Sequence, residues 1–161
     1  MIPDLALTLW PEWAWTITSG QSWPDDLVRK TVENRGWTPG GRVPAGTRLA
    51  IHAGAHVGGR PGAAASREAV AAVLGMYQRA NPNRMLPFPG FREELRTCPT
   101  SAIVAVVTID RYDRHQLTGW DVPDAWHWRF DAVRVLAEPI PCRGAQGLWQ
   151  IPADVRARLA A

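Results

Sequence analysis

The run from Ala102 to Ile109 constrains this chain more than any other segment. It is continuous, β-branched and almost wholly apolar, which predicts a strand at the centre of a sheet. What surrounds it is heavily punctuated. The 161 residues include 14 Gly and 14 Pro. That density favours short strands and many turns over a bundle of long helices. Apolar residues make up 46% of the chain, enough for a core, and the length predicts one domain over residues 1–161.

Further elements follow from periodicity and breakers. Ala6 to Leu9 reads as a first strand, and Pro11 opens a helix in which Trp13, Ala14 and Ile17 recur at helical spacing up to Gly20. Gln21 to Val28 is expected to be a surface loop or helical turn in which Trp23 forms a lid edge. Lys30 to Arg35 reads as a short strand, and Arg48 to Ala53 as another with Leu49, Ile51 and Ala53 on one face. His56 to Ala65 is a Gly/Pro/Ala loop, after which Ser66 caps a helix to about Arg79. Phe91 to Thr97 adds a helical turn. Asp110 to Asp124 reads as a polar loop, and His127 to Leu136 as a long strand bent at Asp131 and ended by Pro139 and Pro141. Gly147 to Ile151 is a last strand, and Pro152 opens a C-terminal helix. Strands and helices do not alternate, which excludes a Rossmann fold and leaves an α+β domain, a small mixed barrel or curled sheet with helices on its rim.

The formal charge of +3, from 18 basic and 15 acidic residues, permits an anionic partner without demanding one. Nearly every basic residue is Arg, and Lys30 is the single lysine. No apolar run approaches the roughly 20 residues that span a bilayer. The opening residues Met1 to Trp10 lack the basic start of a signal peptide. The expectation is a cytoplasmic protein with Cys98 and Cys142 reduced, no contact with a membrane and a monomeric state. His52, His56, His115 and His127 fit no familiar zinc spacing, so no metal and no cofactor are expected.

Five pieces of sequence, taken in order, resemble the ASCH domain family. They are Leu9-Trp10-Pro11 with Trp13-Ala14; Lys30-Thr31-Val32-Glu33-Asn34-Arg35; Arg48 to Gly54; Ser101 to Asp110; and Pro141-Cys142-Arg143-Gly144 with Gln146-Gly147-Leu148-Trp149. Lys30, Glu33 and Arg35 match the K, E and R of the family's G-x-K-x-x-E-x-R motif, whereas Val28 stands where the motif has glycine. The resemblance implies a PUA-like mixed β-barrel of five or six strands with two or three flanking helices. It also implies binding of RNA or of a modified nucleotide, or of a similar small molecule. Some relatives resemble ribonucleases or amidohydrolases, and others resemble coactivator-like protein-interaction domains. Those that cleave amides carry Thr three residues after the Lys, where this chain has Glu33.

The candidate site follows from that motif and from chemistry. Lys30 and Arg35 offer positive charge for a phosphate, and Glu33 offers an acceptor for a base amino group. In an enzyme, Lys30 and Glu33 are the catalytic candidates. Trp10 is the candidate stacking plate, with Trp13 and Trp149 read as core. His52 is a pocket wall or core residue, and Arg143 and Gln146 are further phosphate and base contacts. The plainer reading of the motif is an ion pair of Glu33 with Arg35 or Lys30 at a strand end.

Overall fold

The computed structural model describes residues 2–55 and 64–160. The expected His56 loop, and His56 itself, fall outside the described residues save for its last two positions. Six strands form one sheet: β1 (Leu5–Leu9), β2 (Val32–Arg35), β3 (Arg48–Ala53), β4 (Ala102–Asp113), β5 (Trp126–Pro141) and β6 (Leu148–Gln150). Their order across the sheet is β2-β5-β4-β3-β1-β6. The β1–β3 pair is parallel and the other neighbours are antiparallel. Among the described residues four α-helices flank it: α1 (Pro11–Ser19), α2 (Arg67–Ala80), α3 (Phe91–Arg96) and α4 (Ala153–Ala160).

The sheet is curled. Strand β2 is first in the order and β1 is fifth, yet the Arg35 guanidinium donates to the Thr8 carbonyl at 2.7 Å. Two strands so far apart in a flat sheet could not touch, since neighbours are spaced by about 4.8 Å. This agrees with the barrel-like α+β architecture expected from the motifs.

Alternation decides which face each residue meets. Leu7, Leu9, Leu49, Ile51 and Ala53 join Val107, Ile109 and Trp128 in the main core, together with Ala14 and Ile17 of α1. Ala6, Ala50, Ile103 and Val106 point the other way and are covered by Val155 and Leu159 of α4. A third cluster joins α2 and α3 to the segment after α1 through Val73, Tyr77, Phe91, Leu95 and Trp120. Ser66 caps α2 as expected, its hydroxyl accepting from Ala69 N at 3.1 Å. The bend at Asp131 is a register shift: Thr108 pairs with Ala132 and Ile109 with Phe130, leaving Asp131 without a partner in the ladder.

Several local expectations are corrected. Asp110 to Asp113 continue β4 rather than opening a loop, because β5 extends back to Trp126 and pairs with them. Pro139 lies inside β5, beyond a second register shift, whereas Pro141, paired with Ala102, ends the strand as expected. Trp23 is no lid. It is 2% exposed and packs its ring edge-on to Tyr77 at 5.4 Å. Lys30 lies outside β2, which begins at Val32.

Candidate functional site

The cavity that holds the motif is built from three directions. Pro11 starts α1 directly after β1, and the Trp10 carbonyl accepts from Trp13 N and Ala14 N, so Trp13 stands in the first turn at the sheet's end. The segment before Lys30 is strapped from outside. The Asn81 amide accepts from Val28 N at 2.7 Å and donates to Val28 O at 3.3 Å, and the Trp120 indole donates to the same carbonyl at 2.8 Å. Finally, Asn34 clips the loop after β4 onto β2, donating to Trp120 O and accepting from Val122 N, both at 3.0 Å.

Lys30, Glu33 and Arg35 meet in this frame. Lys30 is 1% exposed, and its ammonium donates to the Val32 carbonyl and lies 3.5 Å from Glu33 Oε2. Because Lys30 precedes the strand, its long side chain folds back onto the face that Glu33 and Arg35 share. Arg35 Nε lies 3.0 Å from Glu33 Oε1 as an ion pair, although its N–H is not aimed well enough for a hydrogen bond. Burial pushes the Lys30 pKa down, against the opposing pull of Glu33. Two cations around one carboxylate leave a formal excess of one positive charge.

These three side chains, with Asn34, line a cavity of about 280 Å³ whose apolar walls are Trp13, Met76, Val122 and Ala125. The Lys30 ammonium sits 5.7 Å from the centroid of the Trp13 ring. A larger cavity of about 710 Å³ lies between Val70 and the stretch Met85 to Arg96, and none of the motif residues reaches it. Size favours the second and chemistry the first; converging buried charges mark a specific site better than volume does.

The remaining candidates lie outside that cavity. His52 is buried beneath the loop that follows β5. Its Nε2 is 3.2 Å from Cys142 O and its Nδ1 is 3.2 Å from Thr8 Oγ1. Its ring meets Trp149 edge-on at 5.4 Å. Burial lowers the His52 pKa, with the Cys142 carbonyl acting in the opposite sense. Arg143 and Gln146 are exposed on that same loop. Trp10 is exposed at the start of α1, away from the cavity lining, whereas Trp13 forms its wall. Trp149 is half-buried and donates to Thr8 Oγ1 at 2.9 Å.

One buried network beside the cavity escapes a reading by motif. Arg129 binds Asp113 and Asp121 together, and it positions the loop from which Val122 and Ala125 enter the cavity. Extending β4 past Ile109 would have revealed it, because the register then places Arg129 and His127 beside Arg111 and Asp113.

No protein-family model matches the sequence, and no curated protein does. Among solved structures the chain is similar to the ASCH protein of Zymomonas mobilis, at 14% identity over 97% of this chain and 92% of that one, with a TM-score of 0.45. Two mutants of that protein align at 16% identity, covering 99% and 97% of the two chains with a TM-score of 0.49, and at 14%, covering 97% and 95% with a TM-score of 0.47.

Proposed function

We propose that this protein is an ASCH-type domain that binds a nucleoside or nucleotide, free or at an exposed position of RNA, in the cavity between Trp13 and the Lys30–Glu33–Arg35 cluster. The observation that carries this reading is that the three motif charges converge on one small cavity with an aromatic wall. At about 280 Å³ the cavity lies at the lower end of the ~300–1,000 Å³ range of ligand sites. A single base fits that scale, and a folded RNA surface does not. Glu33 accepts a base N–H, Arg35 supplies charge towards a phosphate, and Trp13 contributes the stacking face. Trp10, His52, Arg143 and Gln146 would then meet parts of the ligand outside the cavity.

A second reading, hydrolysis of a nucleoside amide or of RNA, draws support from the Lys30–Glu33 contact. A buried amine of lowered proton affinity beside a carboxylate is a workable acid–base pair. The place of the relatives' Thr is taken by Glu33, so a water would have to be the nucleophile.

The test is calorimetric titration of the wild type and of Glu33→Gln with nucleosides, nucleoside monophosphates and a short single-stranded RNA at two salt concentrations. Saturable binding that weakens at least about tenfold in the nearly isosteric variant is expected, as for loss of one charge-assisted hydrogen bond. Absence of binding by the wild type at both salt concentrations overturns the reading. Chromatography of the same mixtures detects product, and product formed by the wild type alone selects the hydrolytic reading.

A further inference from the structure

Thr8 directs each of its polar groups at one of two parts of the candidate site. Its carbonyl accepts from Arg35, which lines the cavity. Its N–H donates to Gly147 O at 3.2 Å. Its hydroxyl oxygen lies 2.6 Å from Ala145 O, 2.9 Å from Trp149 Nε1 and 3.2 Å from His52 Nδ1.

The protons around that hydroxyl can be counted. A hydroxyl has one hydrogen and two lone pairs. The Trp149 indole can only donate, so it uses one lone pair. Ala145 O can only accept, so the 2.6 Å contact requires the Thr8 hydrogen. Cys142 O can only accept, so its contact with His52 Nε2 is a hydrogen bond only while that nitrogen carries a hydrogen. What remains is His52 Nδ1 facing the second lone pair of Thr8. If the imidazole is charged, Nδ1 donates and every group is satisfied. If it is neutral, its one hydrogen serves either Cys142 O from Nε2 or Thr8 from Nδ1, so two lone pairs face each other or a loop carbonyl, Cys142 O or Ala145 O, goes without a donor. The loop backbone lies directly against the ring, since a Cβ on Gly144 would lie 2.3 Å from it.

We propose that Thr8 is a positioning residue that joins Arg35 in the cavity to the Cys142–Gly147 loop, and that its hydroxyl latches this loop through Ala145 when His52 is charged and loosens it when His52 is neutral. The consequence for ligand rests on the binding reading above; the latch itself does not. His52 faces Thr8 from β1, the edge of Trp149 from β6, apolar Ile103 from β4, and Cys142 and Gly144 from the loop. Among the described residues, the titratable neighbour in that shell is the Cys142 thiol, whose pKa burial raises, and the nearest charge joined to it by named bonds is Arg35, through Thr8. Burial keeps the imidazole neutral until the solution is acid of its ordinary value of 6.5.

The experiment combines nitrogen NMR of the His and Trp rings with hydrogen exchange of the 142–147 segment, between about pH 5 and 8, in wild type, Thr8→Val and Thr8→Ser. In the wild type, protonation of the His52 ring should move the Trp149 indole signal and slow exchange in the loop beyond the intrinsic pH effect. Thr8→Val should abolish that coupling and Thr8→Ser restore it. Thr8→Val keeps the carbonyl that accepts from Arg35, so binding of nucleoside monophosphates in the cavity should change less than the loop does. If His52 does not titrate in the wild type over this range, or titrates without moving the indole signal or the loop, the proposal is overturned, whether or not either variant folds. It is equally overturned if the serine variant behaves like the valine one. If the monophosphates bind neither wild type nor variant while the ring and loop titrate together, the latch stands and the binding reading falls.

Discussion

Arg129 grips the Asp113 carboxylate with two hydrogen bonds, Nε to Oδ2 at 2.6 Å and Nη2 to Oδ1 at 2.9 Å. The same guanidinium reaches Asp121 at 3.2 Å and the His115 carbonyl at 2.6 Å. Asp121 in turn accepts from Leu117 N and Thr118 N. One side chain on β5 therefore anchors the end of β4 and both ends of the loop that walls the cavity.

Arg129→Met is expected to destabilise the fold by about 3–5 kcal/mol, because it leaves Asp121 buried without its cation. Denaturant unfolding measures this directly. A pH effect accompanies it. Hydrogen bonds from Arg129 hold the Asp113 pKa below its ordinary 3.8. A carboxylate whose folded pKa is depressed contributes stability that is present above the unfolded value and is lost as the pH falls through that value towards the folded one. Wild type should therefore lose stability below about pH 4 more steeply than Asp113→Asn. Parallel acid titrations of the two proteins would refute the assignment.

Lys30 has the opposite sign. Its folded pKa lies below the ordinary 10.5, so in the window beneath 10.5 the unfolded chain holds the extra proton. Stability from this group rises with pH there. The difference in unfolding free energy between wild type and Lys30→Met should move in favour of wild type between about pH 7 and pH 10. An unchanged difference would mean that the amine is not desolvated. The burial of Lys30 and its contact with Glu33 predict that Lys30→Ala destabilises the protein.

Trp23→Ala should cost about 3–5 kcal/mol, as for other large residues removed from a core. Trp10→Ala, on the exposed start of α1, should stay within about 0.5 kcal/mol. Thermal melts separate the two, and a silent Trp23 variant would restore the lid reading.

Gly119→Ala should destabilise by roughly 1–3 kcal/mol, the range for overpacking, because the new Cβ would lie 2.2 Å from the Ala80 nitrogen, a backbone atom that cannot swing aside. Gly41→Ala meets nothing within 4 Å and should stay within about 0.5 kcal/mol. Equal melting temperatures for the two variants would show that the loop can move off α2.

Residues close in the chain were legible from sequence alone. The apolar alternation in Arg48 to Ala53, the Ser66 cap, the Pro11 helix start and the bend at Asp131 all act over a few positions, where periodicity and breakers carry the information. Their irregular order was enough to give the α+β class, and the motif spacing singled out Lys30, Glu33 and Arg35, which meet at one cavity. Strand order, the reach of β4 and β5, the burial of Trp23 and the Arg129 network came only with the tertiary structure. Each depends on partners tens of residues away, and a charged or aromatic residue reads the same in sequence whether it faces water or a partner. The curl of the sheet decided the rest. It brought Arg35 to Thr8 and set His52 and its loop on the far side of that contact, so the candidate residues fall into a cavity and a loop joined by one threonine.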